Sequence, residues 1–374
     1  MVHKTGSTID QVPEPSFIGH AISDVRLFRN RLLLLSRSNV CMSRTSDFFN
    51  FWAHTATEVL DDDPIDYAVS VADDGDIVWA EPMGGDLIVF AGRTQLQLHS
   101  GNDPMTPKAC RAEATTKFPC SDAARRVGIG SSIMFASSEA GTGTTVREYR
   151  VLAEALTADA EDVTAHCHGF IPDEIIAMAA AGNHDTVFCT CGTGSVYAYR
   201  YFWAGDRKIQ SAWYELTLPG DYVFLALRGI GDYLYAVVSS PTAADWLIIR
   251  LALTIEESPT EPQIDFAATG TVSVDGSGNR TVTVADTPAH PSGLAGVAVV
   301  GGVAYPGTFS GSTLALGQVL DLAAGTSVEI GVPYTSLVEL SPFVLKDNNG
   351  APVPGRTQLR EVRFSLRHKH SPGL

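Results

Sequence analysis

Five times along the first two thirds of the chain, a short apolar strand is followed by a turn of small or polar residues and then by a second, alternating strand. The five hairpins begin at Val25, Gly85, Ser131, His184 and Gly231, roughly 45 to 60 residues apart. Within the fourth, Val196, Ala198 and Arg200 alternate with Tyr197, Tyr199 and Tyr201, the two-residue period of a strand. Hairpins at this spacing fit propeller blades, each of which needs about 40 residues for four strands. An irregular β-sandwich with long loops is the alternative that the same pattern allows.

Helix signals are few. Residues 151–162, VLAEALTADAED, read as a helix, and residues 174–182, EIIAMAAAG, read equally well as a helix or a buried strand. At 257–263 the text changes to ESPTEPQ, a Pro- and Glu-rich junction without apolar period. A hairpin follows in which Val272 and Val274 lead into the turn DGSGN and on to Val282 and Val284. Short strands rich in Gly, Val, Ala and Thr then run to Pro333. Near the end Val362, Phe364 and Leu366 share one strand face, and Arg363, Ser365 and Arg367 share the other. The expected fold class is therefore all-β. It comprises a β-propeller-like domain of repeated hairpins over 1–258 and a smaller β-sandwich or barrel-like domain over 259–340. C-terminal strands over 341–374 are expected to pack back on the propeller or on a neighbouring subunit.

The formal net charge of −16 repels phosphate backbones on average and disfavours tight nucleic-acid binding, while leaving brief passage of DNA open. No run of eighteen or more apolar residues is present, so no membrane span is expected, and the first residues lack the apolar core of a signal peptide. The six cysteines are irregularly spaced and read as mostly free thiols of a reducing compartment.

Between the first and second hairpins lies RTSDFFNFWAHTATEVLDDDPIDY, residues 44–67, with an aromatic knot (Phe48, Phe49, Phe51, Trp52) and an acid knot ending in Asp63, Pro64 and, two residues on, Asp66. A sugar platform, a cation site, a membrane wedge and plain packing all use such residues. Neither this acid run nor Asp73, Asp74 and Asp76 has the ligand order of an EF-hand loop, so a solvated turn is the expected reading. His166, His168, Cys189 and Cys191 form a weaker metal candidate: on strands each pair points to one side, and four such ligands make a tetrahedral zinc site. Cys189 and Cys191 equally read as small core filler in TVFCTC. No phosphate-cradling glycine loop, Gly-flanked nucleophile or zincin helix is present, and no catalytic residue or cofactor is expected. Basic residues gather at two places: Arg26, Arg29, Arg31, Arg37 and Arg44 near the start, and Arg356, Arg360, Arg363 and Arg367 near the end. They read either as a basic surface facing an acidic neighbour, such as another copy, or as solvated strand faces.

Two segments carry a resemblance to a known family. The first matches at residues 15–19 (PSFIG), 22–32, 42–44, 47–51 (DFFNF) and 63–66 (DPID). The second matches at Gly331, Pro333, Tyr334, Ser341, Pro342, Gly355, Arg356, Gln358, Leu359 and Arg360. Together they resemble the tail tubular protein B, or tail nozzle, family of short-tailed phages, in the same order and bracketing almost the whole chain. Members of that family are usually much longer on both sides, so the resemblance implies a chain shortened at both ends.

The resemblance implies a non-enzymatic, structural virion protein of the phage tail, made in the host bacterial cytoplasm. It implies a homo-oligomeric ring, a hexamer in the intact tail, lying below the tail adaptor protein, with double-stranded DNA passing transiently through the lumen during genome ejection. It also implies a β-propeller with smaller β-domains. An envelope carbohydrate-binding or carbohydrate-cleaving module is the rival reading, resting on exposed aromatics at residues 48–52 and abundant acids. With the family signature in view, the aromatic knot is expected to close one blade against the next, and the acid run to cap and solvate the turn beyond it.

Overall fold

A computed structural model of the chain describes residues 13–335 and 337, less 56, 70–75, 102, 140–142, 153–156, 206, 242–245, 255–263, 285–288, 320 and 336. The C-terminal strands expected over 341–374, the junction at 257–263, and Asp73 and Asp74 lie outside the described residues. The chain divides into two compact units. One is 1–217 with 223–239 and 248–253; the other holds 218–222, 240–247 and the residues from Thr254 on.

The first unit is a series of antiparallel meanders. Its first sheet is β1 (Asp24–Phe28), β2 (Arg31–Ser36), β3 (Asn39–Met42) and β4 (Ile65–Ala68). The second is β5 (Ile77–Met83), β6 (Asp86–Ala91), β7 (Thr94–His99) and β8 (Arg111–Thr116). The third is β9 (Val127–Ile129), β10 (Ser132–Glu139), β11 (Gly143–Leu152) and β12 (Thr157–Asp162), and the fourth is β13 (Ala177–Ala181), β14 (Thr186–Thr190), β15 (Ser195–Ala204) and β16 (Arg207–Thr217). The fifth has three strands, β17 (Val223–Ile230), β18 (Tyr233–Ser239) and β19 (Trp246–Ala252), the first two residues of β19 falling in the range of the other unit. In every sheet the strands are hydrogen-bonded in sequence order.

Two-residue periodicity explains how the sheets stack. In β6, Leu87 and Val89 pack into one core with Leu33, Leu35 and Met42 of the first sheet. Ile88 and Phe90 point the other way, into a second core with Ile133, Phe135 and Tyr149 of the third sheet. Met134, Ala136 and Val146 then join Val187, Cys189, Tyr197 and Tyr199 of the fourth. An inner sheet covered on both faces needs near-continuous apolar strands, and β6 (DLIVFA) and β14 (TVFCT) are buried almost throughout. First strands meet in succession, β1 with β5, β5 with β9, β9 with β13, and β13 with β17. This is a propeller-like stack of blades. At its inner strands Asp24 accepts hydrogen bonds from Arg26 (2.8 Å) and Arg125 (3.3 Å), and Arg26 reaches Glu81 (3.0 Å). Burial raises the Glu81 carboxyl above its ordinary value, while Arg26, Arg125 and Arg228 of β17 pull it down.

Turn chemistry fixes the registers. Arg29 and Asn30, with φ of 44° and 59°, make the two-residue connection between β1 and β2, the left-handed pair whose twist matches that of the flanking strands. The helix expected over 151–162 is not formed: Val151 and Leu152 end β11, and Thr157–Asp162 is β12, paired with β11 from Leu152↔Thr157 to Arg147↔Asp162. Ala, Leu and Glu favour helix locally, but a blade's open edge offers a full ladder of backbone partners. Residues 177–181 take the strand alternative, as β13.

The second unit contains a closed barrel. Its strands are β20 (Asp265–Val274), β21 (Arg280–Thr283), β22 (Ala295–Val300), β23 (Val303–Ser310), β24 (Thr313–Gly317) and β25 (Ser327–Val332), in the order β20-β21-β24-β23-β22-β25. Val272 faces Val282 across the first hairpin, and the Asp275 carboxylate accepts the backbone N–H groups of Ser277 (2.9 Å) and Asn279 (2.8 Å) to close the turn. Inward residues Val282, Ala298, Phe309, Leu314, Val328 and Ile330 fill the interior, as expected of so small a barrel. The molecule is all-β, with multiple small sheets and this barrel.

Candidate functional site

The family-like residues of the first segment converge in space on the connection between β3 and β4. At its centre is Arg31, the first residue of β2 and only 1% exposed. Its Nη1 donates to the carbonyl oxygens of Ser43 and Asp63, both at 2.7 Å, and its Nη2 to that of Asp61 at 3.0 Å. One planar guanidinium thus ties the two ends of the connection to the sheet. Burial lowers the Arg31 pKa, and Asp62 and Asp63 oppose the shift.

Asp63 completes the knot from the other side. Its carboxylate, buried with the rest of the residue, accepts the N–H of His54 and of Leu60, each at 2.8 Å. Asp63 is therefore an internal anchor and not the solvated cap that the acid run implied; Asp61 and Asp62 are exposed. Asp62 pairs with Arg44 at 2.6 Å, and that hydrogen bond holds its carboxyl below the ordinary value. Pro64 is half-buried beside Asp63. Asp66 accepts the N–H and the hydroxyl of Ser16, both at 2.7 Å, and the Asn39 amide at 2.9 Å, docking the 15–19 segment onto the sheet. Phe17 then meets Phe51 edge to face, 5.0 Å between centroids.

The aromatic knot divides. Phe51 and Trp52 are half-buried, whereas Phe48 is exposed and Phe49 is 82% exposed. Phe48 and Phe49 do not close one blade against the next: the Arg31 and Asp63 anchors hold the ends of the connection, and its tip points to solvent. Ile18, Ile22 and Val59 are also exposed in these connections. The arrangement presents apolar rings on a braced loop, which suits contact with a protein surface.

The other candidates fall apart. His166 and His168 lie in an exposed turn and not on a strand; Cys189 is fully buried in β14; Cys191 follows that strand and donates to the Asp173 carbonyl. Among the described residues, no group of three or more His, Cys, Asp or Glu side chains could hold a metal ion. The early basic residues are largely spoken for: Arg26 pairs with Asp24 and Glu81, Arg31 is buried, and Arg44 holds Asp62. Arg29 is exposed and donates to the Ser100 hydroxyl at 3.1 Å. Arg356, Arg360, Arg363 and Arg367 lie outside the described residues. What sequence reasoning missed is the anchoring role of Arg31; its only signal was a lone charge opening the run RLLLLS. Among the described residues no helix is long and apolar enough to cross a membrane.

Comparison with known proteins adds three findings. The model of the bacteriophage nozzle protein family matches residues 4–370. The tail tubular protein gp12 of Escherichia phage T7 is 30% identical over 239 residues, which span 63% of this chain and 30% of that protein. A crystal structure of the N-terminal domain of Nup159 aligns with 85% of this chain and 92% of its own at 9% identity, with a TM-score of 0.37, too low to carry an argument.

Proposed function

The chain belongs to the bacteriophage nozzle protein family and is a structural protein of the phage tail, and from that premise we propose that it forms part of the conduit through which the genome is ejected. The family match over residues 4–370 carries this reading. Copies assemble into a ring, a hexamer in the intact tail, that docks under the tail adaptor protein, after synthesis in the host cytoplasm. The protein performs no catalysis; its work is to be a wall.

Physical chemistry supports the proposal at two points. A conduit must let duplex DNA pass without holding it, and a chain of net charge −16 repels phosphates on average. A ring also needs apolar contact surface outside each copy's own core, and Phe48 and Phe49 on their braced loop supply a preorganised example. Fluorescence anisotropy with labelled duplex DNA tests the first point. No complex tighter than the usual non-specific range is expected at physiological salt, and a tight, salt-sensitive complex would overturn it.

A further inference from the structure

Four of the five sheets of the first unit have four strands, and the fifth has three. Among the described residues its last strand, β19, is hydrogen-bonded on one side alone, to β18. This open edge is conspicuously apolar: the strand reads WLIIRLA, Trp246 is 74% and Ile248 78% exposed, and Leu251 is exposed as well. Only Arg250 interrupts it, and its guanidinium lies over the Tyr233 ring, 4.6 Å from the centroid. A free edge of this kind carries unpaired backbone donors and acceptors and templates the addition of another strand unless something covers it.

The chain itself contains a segment whose sequence is patterned as a strand, outside the described residues. Residues 361–367, EVRFSLR, alternate Val362, Phe364 and Leu366 with Arg363, Ser365 and Arg367. Extended, such a segment has one apolar face, like the exposed side of β19, and one basic face. The segment lies near the chain terminus, 24 peptide units beyond Leu337, a tether that can reach roughly 80 Å when extended.

We propose that residues 361–367 of one copy add to the free edge of β19 in a second copy and complete its fifth sheet as the fourth strand. The proposal rests on the ring reading above and names the contact that builds it. Donor strand and acceptor edge are different surfaces of the same chain, so the contact is head-to-tail, the class that closes into rings when the rotation permits. Backbone hydrogen bonds supply the pairing, and the apolar side chains of the donor lie beside Trp246 and Ile248 on the same face of the sheet.

Native mass spectrometry of the full chain tests it, with Phe364→Pro on the donor and Ile248→Lys on the acceptor. Because Ile248 is largely exposed, its replacement leaves the single chain folded. The wild-type protein is expected as a multimer, and each variant as a single chain at the same concentration. Mixing Ile248→Cys chains with Phe364→Cys chains and adding a short bismaleimide should link two chains, above the background that the natural cysteines give in wild type. Multimers that survive both substitutions overturn the strand exchange and leave the ring reading standing. So does a doubly substituted Ile248→Cys/Phe364→Cys protein that links only within one chain. A wild-type protein that is a single chain at every concentration overturns the ring reading itself, and this proposal with it.

Discussion

Replacing Arg31 by Met keeps the length of the side chain and removes its charge and donors. Three short hydrogen bonds of 2.7 to 3.0 Å, to the carbonyls of Ser43, Asp61 and Asp63, are then lost in a buried site, with a longer one of 3.4 Å to that of Met105. Hydrogen bonds to a charged group contribute about 1.5–3 kcal/mol each, so the gross loss is roughly 4–9 kcal/mol. Removing a buried guanidinium also relieves a desolvation cost of several kcal/mol, which offsets part of that loss. The net expectation is a destabilisation of about 3 kcal/mol. Arg31→Lys retains the charge but not the planar fork that spans three carbonyls, and should cost about 1–2 kcal/mol. Urea denaturation of the full chain reads both values, and limited proteolysis reports whether the 44–63 connection has come loose. Both variants within 0.5 kcal/mol of wild type, with the connection equally resistant, would refute the anchoring argument.

Three further outcomes follow from the same structure. Phe49→Ser should leave the stability of the isolated chain within about 0.5 kcal/mol, because the ring is mostly in solvent, while weakening self-association measured by sedimentation. Gly229→Ala on β17 places a methyl group against the Ala180 carbonyl of β13 and should destabilise the first unit by about 1–3 kcal/mol in denaturant titrations. His290 is buried in the second unit between Phe266 and Phe309, with its Nδ1 3.2 Å from the Tyr222 hydroxyl, and burial lowers its pKa from the ordinary 6.5. The unfolded chain then binds the proton more readily than the folded one. His290 therefore costs no stability above pH 6.5 and an increasing amount as pH falls from there through the lowered folded value; thermal melts of His290→Phe should lose that slope.

Much of the fold is legible in the sequence because the second strands of the first four blades are buried almost throughout. β2, β6, β10 and β14 all fall inside hairpins visible as apolar runs. The fourth strands of those blades are less legible, since exposure replaces the apolar signal with mixed residues, as in RAEATT of β8 and TADAED of β12. The latter reads as helix until the ladder with β11 is known. The site shows the same division. The family-like residues can be picked out in the text, but which rings turn outward depends on Arg31 and Asp63, and no local pattern marks an arginine or aspartate as buried. Composition gives the acid knot as one solvated group, whereas the fold takes Asp63 inside and leaves Asp61 and Asp62 out.

Electron microscopy of the purified chain, alone and mixed with the tail adaptor protein of its phage, shows whether the proposed ring-forming wall of the tail conduit assembles. Closed rings of six copies stacked on the adaptor are the expected result. Single, unassembled chains in both samples at every concentration would contradict it.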